Sequence, residues 1–226
     1  MNIYKKKGPF IINLKNYLET SGDNTIEIVK VAERVSEKLD VEIIISPPQP
    51  SLALIAKRTK LNVISQHIDL KKTGSTTGYY VPEIIKKVGA IGSIINHSEH
   101  ELKIDEINPL IEKLKELNLV SVVCVKTVEE LKIILEFEPD FIAIEPPELI
   151  GTKKSISSEK PFLILECGKL VSKSNKKTKL ICGAGINKNE DIKIAIENGV
   201  SGILVSSSIT KANNWENKIF ELASAF

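Results

Sequence analysis

Cysteine is scarce in this 226-residue chain: only Cys124, Cys167 and Cys182 occur. The odd count and wide spacing exclude a disulfide framework and a cysteine zinc site. Cys124, inside Val122-Val123-Cys124-Val125, reads as a core residue, and the expectation is a reduced, cytoplasmic protein. Charge of one sign is also lacking. With 31 basic and 29 acidic residues the formal net charge is +2, too balanced for a nucleic-acid or membrane surface. No long apolar run exists near the start. The stretch behind Lys5-Lys6-Lys7 is broken by Asn13 and Lys15, too soon for a secretory segment or a membrane span. Gly-x-Gly-x-x-Gly is missing from the first strand–helix turn, which disfavours a doubly wound dinucleotide-binding sheet. There is no linker-like break and no low-complexity tract, so one domain over 1–226 is expected.

What is present is alternation. Short Ile/Val-rich runs predict strands at 9–14, 41–46, 62–66, 91–95, 120–125, 141–144, 179–182 and 202–205. Helical periods between them predict helices at 24–38, 50–58, 82–88, 104–117, 127–136, 158–174, 187–198 and 215–224. In 104–117, Ile107, Leu110, Ile111, Leu114 and Leu117 form one stripe, and Asp105 and Glu106 favour its start. Strands that are apolar nearly throughout are buried on both faces, as in a parallel sheet. Eight βα units joined by right-handed crossovers make an α/β, (β/α)8 barrel, short against the usual length of about 250 residues. The stretches 67–81 and 146–157 remain as long loops after strands, where function tends to sit.

Polar motifs follow directly on the apolar runs. Such strand ends converge on one mouth of a parallel barrel, where active sites lie. Asn13-Leu14-Lys15 follows the first strand and could supply fixed positive charge to an oxyanion or anion. Asn96-His97-Ser98-Glu99 follows the fourth. His97, one of only three histidines with His67 and His100, stands before what reads as a helix start, which favours a neutral ring that still donates a hydrogen bond. Glu99 could pair with Lys15. Glu145 ends the sixth strand; a carboxylate leaving a buried strand is either catalytic or half of a structural ion pair. The loop behind it favours catalysis: Pro146-Pro147 stiffens one end, Ile150-Gly151-Thr152 is a flexible tip, and Lys153-Lys154-Ser155 closes it, the layout of a lid. Cys182-Gly183-Ala184-Gly185-Ile186 and Ser206-Ser207-Ser208 end the last two strands. Their small residues permit the close backbone approach of an anion cradle, at the two loops where barrels commonly hold phosphate.

Taken together these motifs resemble the triosephosphate isomerase family, particularly its short archaeal-type branch, in order and spacing over essentially the whole chain. The resemblance implies a (β/α)8 TIM barrel that interconverts dihydroxyacetone phosphate and glyceraldehyde 3-phosphate without metal or organic cofactor. It implies Glu145 as the base, His97 as the neutral donor to the enediolate oxygen, Lys15 as charge stabiliser, Asn13 as orienting group and Glu99 as partner of Lys15. It implies substrate binding by Asn13, Leu14, Lys15, Ile150, Gly151, Gly183, Ala184, Gly185, Ser206 and Ser207, with loop 146–155 closing over the phosphate. Thr77-Gly78 resembles the loop that reaches into a neighbouring subunit, so a homodimer or homotetramer is expected.

Four positions depart from the family pattern. His100 stands where an arginine often follows His-Ser-Glu, Lys153 replaces the second glycine of the lid, and Ser206-Ser207 stands for a common Gly-Gly. Two other readings compete: a Schiff-base aldolase, for which Lys126 is the nearest lysine, and a non-catalytic binder of sugar phosphates.

Overall fold

A computed structural model describes residues 6–152, 154–174 and 176–226. Eight strands close into a parallel barrel in sequence order, β1 pairing with both β2 and β8. They are β1 (Lys7–Asn13), β2 (Val41–Ser46), β3 (Asn62–Ser65), β4 (Gly92–Ile95), β5 (Val120–Val125), β6 (Phe141–Ile144), β7 (Lys179–Cys182) and β8 (Gly202–Val205). The helices are α1 (Asp23–Leu39), α2 (Leu52–Arg58), α3 (Pro82–Lys87), α4 (Ile104–Glu116), α5 (Val128–Glu136), α6 (Ile156–Glu159), α7 (Pro161–Lys173), α8 (Asn189–Glu197), α9 (Ser207–Thr210) and α10 (Trp215–Ala223). The open doubly wound sheet is thereby excluded.

Two buried clusters hold the barrel, and strand periodicity divides them. Ile11, Ile44, Ile64, Ile94, Val122, Cys124, Phe141, Ala143, Ile181 and Leu204 fill the interior. Their sequence neighbours, such as Ile12, Ile45, Ile95, Val123, Ile142 and Ile203, face the helices in a larger outer cluster. Successive strand residues point to opposite faces, so both must be apolar, which is why the strands read as continuous runs. The same parity carries the functional positions inward. Asn13 follows Ile11 by two residues, Glu145 follows Ala143, and Ser206 follows Leu204.

Two differences from the sequence expectation concern the top of the barrel. The helix expected over 158–174 is two helices, because Pro161 lacks an N–H and opens a new first turn at α7. After β8 a single short turn, α9, forms at Ser207, where the serines gave no helical period; the Ser206 carbonyl accepts the N–H groups of Ile209 and Thr210 at 2.9 and 3.0 Å.

Phe141 is 1% exposed and belongs to the interior cluster. Phe141→Ala should lower unfolding free energy by about 3–5 kcal/mol in urea titration. A loss under about 1 kcal/mol would show that the interior is not close-packed there.

Candidate active site

The strand ends converge on a small cavity, of about 30 Å3, at the C-terminal mouth of the barrel. Asn13, Lys15, His97 and Glu145 line one end of it, and Ile150, Gly151, Ala184, Gly185, Ser206 and Ser207 are also in its wall. Leu14 and Gly183 are placed otherwise. Leu14 is fully buried in the outer core. Gly183 lies directly against Glu145, and a Cβ there would overlap both Glu145 Oε1 and the Leu204 carbonyl. Glycine is thus what lets the carboxylate lie across the end of β7. Glu99 faces a neighbouring groove rather than this cavity.

Glu145 is 6% exposed, and its Oε2 is buried with no hydrogen-bond partner. Burial pushes its carboxyl above the usual glutamate range; His97, a hydrogen bond with Cys124, and Lys15 oppose the shift without cancelling it. Desolvation is therefore the winning effect, and it makes this carboxylate a stronger proton acceptor than an exposed glutamate. Cys124 does more than pack the interior: its thiol meets the carboxylate, and burial plus that carboxylate raise its own pKa well above the ordinary thiol value.

His97 Nε2 lies 3.7 Å from Glu145 Oε2. On the other side of the ring, Nδ1 accepts the Glu99 backbone N–H at 3.2 Å, while Glu99 Oε2 is at 3.7 Å. An amide N–H cannot give up its role as donor, so Nδ1 carries the lone pair and Nε2 the proton. Nε2 is the ring nitrogen that faces Glu145. The expected helix start at Ser98 is absent. Residues 97–102 form a turn, held because Asn96 Oδ1 accepts the Leu102 N–H at 2.9 Å and Asn96 Nδ2 donates to the Cys124 carbonyl at 3.0 Å. One local backbone amide, not a helix terminus, fixes the imidazole.

Lys15 Nζ bonds Glu99 Oε1 at 2.7 Å, the pairing anticipated from their shared location. The ammonium is further fixed through its backbone. The Lys15 N–H donates to Asn13 Oδ1 at 3.0 Å, and Gln66 Nε2 donates to the Lys15 carbonyl at 3.0 Å. Lys15 (φ 49°), Asn96 (φ 59°) and Ala184 (φ 69°) all hold left-handed backbone, three such residues at one mouth. For a lysine or an alanine this conformation costs on the order of 1–2 kcal/mol, which tertiary contacts must offset. Strain of this kind gathers at functional sites. Gln66 and Asn96 were missed as positioning residues. The available signal was the same one that marked Lys15: a polar side chain just past a buried strand.

The loop behind Glu145 lies against the loop after β7. Lys154 carbonyl packs where a Cβ on Gly185 (φ 69°) would stand, and Asn187 Nδ2 donates to Gly185 carbonyl at 2.6 Å. Thr152 Oγ1 donates to the Leu149 carbonyl at 2.8 Å, tying the tip to the turn Pro147–Leu149, and Lys160 pairs with Glu148. Lys153, the departure from the family's lid pattern, lies outside the described residues. Lys126 is engaged elsewhere: its ammonium bonds Glu101 at 2.9 Å, and that bond holds its pKa above the ordinary lysine value. A Schiff-base lysine needs the opposite shift.

On the far side of Asn13, Lys15 and His97 a wider groove of about 660 Å3 is lined by Tyr17, Gln66, His67, Glu99 and His100 among others. His100 stacks on His67, ring centroids 3.7 Å apart. Beside it the loop carrying Thr77 rises on a base where the Tyr80 N–H donates to Asp69 Oδ2 at 2.7 Å; residues 70–80 are all exposed. Among the described residues no cluster of three or more His, Cys, Asp or Glu converges as a metal site, and no helix is long and apolar enough to cross a membrane.

Comparison with known proteins gives a consistent match. The family model described as triosephosphate isomerase matches residues 9–223. The triosephosphate isomerase of Cenarchaeum symbiosum is 44% identical over 215 residues, 95% of this chain and 96% of its own. That of Methanocaldococcus jannaschii is 40% identical over 212 residues, 94% of this chain and 97% of its own. That of Methanobacterium bryantii is 36% identical over 224 residues, 99% of each chain.

Cys124→Ala removes a hydrogen bond that favours the ionised carboxylate. The acid limb of kcat/KM should therefore move to higher pH, read from a pH–rate profile. A limb that stays put or moves down would show that the thiol does not act on Glu145.

Proposed function

The chain belongs to the triosephosphate isomerase family, and on that premise we propose that Glu145, His97 and Lys15 carry the interconversion of dihydroxyacetone phosphate and D-glyceraldehyde 3-phosphate through an enediolate. The observation that carries the reading is the buried Oε2 of Glu145, without a hydrogen-bond partner, beside Nε2 of His97 at the wall of the cavity that Lys15 and Asn13 also line. Glu145 Oε2 takes the proton from C1 of the ketose. The electron pair moves into the C1–C2 bond, and the C2 oxygen becomes an oxyanion. His97 Nε2–H donates to that oxygen, and the proton shuttle between the two oxygens passes through this ring. Glu145 then returns its proton to C2, giving the aldose. Lys15, held by Glu99, offsets the negative charge, and Asn13 orients the reacting end. General acid–base groups of this kind contribute about 10²–10⁴-fold each.

The phosphate sits at the other end. Backbone N–H groups around Gly151, Gly185, Ser206 and Ser207 hold it, with Ile150 and Ala184 in the wall. Loop 146–155 opens to admit substrate and closes to exclude water, which keeps the enediolate from eliminating phosphate. Binding energy from the phosphate, remote from the reacting carbons, drives the closure. Residues 1–226 work as one cytoplasmic domain, in glycolysis and gluconeogenesis, with no cofactor, nucleic acid or membrane as partner.

The second copy enters through the Thr77 loop. Its exposed Leu70, Tyr79 and Tyr80 make a lone protruding loop poorly suited to water. The groove beside Lys15 and Glu99 has room for such a loop from a neighbouring subunit, in a homodimer or homotetramer.

Glu145→Gln should cut turnover by at least about 10²-fold while the inhibition constant of 2-phosphoglycolate changes little. The sign of its stability effect also follows. The folded pKa lies above the unfolded one, so below the unfolded pKa the group is neutral in both states. As pH rises through the folded value, the ionised form costs stability. At neutral pH Glu145→Gln should thus melt at or above the parent temperature. Equal loss of inhibitor binding and turnover would contradict the assignment. For assembly, Thr77→Arg should yield monomers in sedimentation velocity with specific activity reduced at least tenfold (~1.4 kcal/mol). Fully active monomers would contradict the role of the loop.

A further inference from the structure

The loop behind Glu145 is anchored at both ends. On the Glu145 side Leu149 is buried and Lys160 pairs with Glu148. On the other side Ile156 is fully buried, and its N–H donates to the Ala184 carbonyl at 3.2 Å. The tip between these anchors is thinly held. Gly151 is exposed, with nothing within 4 Å of where a Cβ would stand. Among the described residues, one side chain from outside the loop hydrogen-bonds to the tip: Asn187 Nδ2 lies 3.5 Å from the Thr152 carbonyl. The same nitrogen donates to the Gly185 carbonyl at 2.6 Å.

We infer that Asn187 is the latch of this loop, a positioning residue whose amide ties the tip, through Thr152, to the segment after β7. The inference rests on the reading of loop 146–155 as a lid and names the residue that holds it shut.

The chemistry of the amide supports the assignment. Carbonyl oxygens only accept, so the end of the side chain that faces two of them is the NH2, which has two hydrogens to give. One serves Gly185, and the other is left for Thr152. The residue is also a fixed post. Its N–H donates to Asp191 Oδ2 in α8 at 2.9 Å, and its carbonyl accepts from Lys218 Nζ in α10 at 2.7 Å. A donor held on both sides of its backbone loses little further freedom when its partner arrives. The two bonds differ in strength as a latch requires. The one to Gly185 is short and keeps the amide in place. The one to Thr152 is at the outer limit of a hydrogen bond, so the tip can leave without dismantling the post. Asn187 and Thr152 both belong to the wall of the cavity that Glu145 and His97 line.

The test uses the intact protein with Asn187→Ala, Asn187→Asp and Lys218→Met. Losing one hydrogen bond shifts a local opening equilibrium by about 2–10-fold. The first readout needs no activity: native-state trypsin cleavage after Lys154, whose side chain is exposed, followed by mass spectrometry without ligand. Asn187→Ala should be cleaved there faster by about that factor. Asn187→Asp keeps the size but sets a carboxylate against two carbonyls, so it should be cleaved at least as fast. The second readout is inorganic phosphate released per isomerisation of dihydroxyacetone phosphate. In that side reaction the enediolate collapses to a C1 carbonyl and a C2–C3 double bond, and phosphate leaves with the electron pair of the C3–O bond. Its share should rise in both variants by a similar factor. Unchanged cleavage at Lys154 in both would overturn the inference. So would parent behaviour in Asn187→Asp, which would mean that the side chain only fills space, or a fall in kcat with the elimination share unchanged. If the Asn187 variants do not fold, Lys218→Met loosens the post from a distance. It should shift both readouts the same way by less, and no shift would overturn the inference. A parent protein that cleaves slowly at Lys154 but turns over neither triose phosphate would instead overturn the isomerase reading.

Discussion

The structure depends on one constraint: a carboxylate must be held out of water at the end of β6 without being neutralised by a partner. A glutamate that found a lysine there would be a stable ion pair and a poor base. Glu145 keeps one oxygen without a hydrogen bond, and the groups around it compensate only in part. Most of the local architecture follows. Position 183 must be glycine to leave room for the side chain. Lys15 must be near enough to temper the charge, yet turned to Glu99 so that it does not quench it. His97 must meet Oε2 through Nε2, an orientation the Glu99 amide secures by occupying Nδ1.

Stability and function divide along the barrel axis. Below the mouth, alternating apolar residues fill the interior and the helix interface, where burial drives folding. At the mouth, left-handed backbone at Lys15, Asn96 and Ala184 and unpartnered polar oxygens run against stability. Elsewhere left-handed residues do ordinary work: Asp40 terminates α1, and Asn118 and Glu138 lie just past the ends of α4 and α5. The contrast separates a helix stop from a loaded site. The two cavities share Asn13, Lys15 and His97, so anything bound in the wider groove touches the groups that face the substrate.

Much of this was legible in the sequence, for physical reasons. Strands buried on both faces write themselves as Ile/Val runs, and all eight lie where those runs are; β1 starts two residues early, at Lys7. Glu145 was legible because it continues the inward parity of Phe141 and Ala143. His97 was legible only as a type of residue in a type of place. Simple alternation from Ile94 would send it outward, and it is the left-handed Asn96 that redirects the chain. Cys124 reads as core from its neighbours, because contact with Glu145 depends on pairing between β5 and β6. The turn α9 was invisible because serines have little helical preference, and the break at Pro161 was overridden by a strong apolar period across it.

The most direct test of the account is a titration of Glu145 itself, by carboxyl-carbon NMR on protein with isotope-labelled glutamate, with Glu148 as internal contrast. Burial should place the Glu145 midpoint above the ordinary glutamate value of 4.5, while the bond from Lys160 should place Glu148 below it. A Glu145 midpoint at or under the ordinary value would contradict the claim that a desolvated carboxylate is the centre of this site.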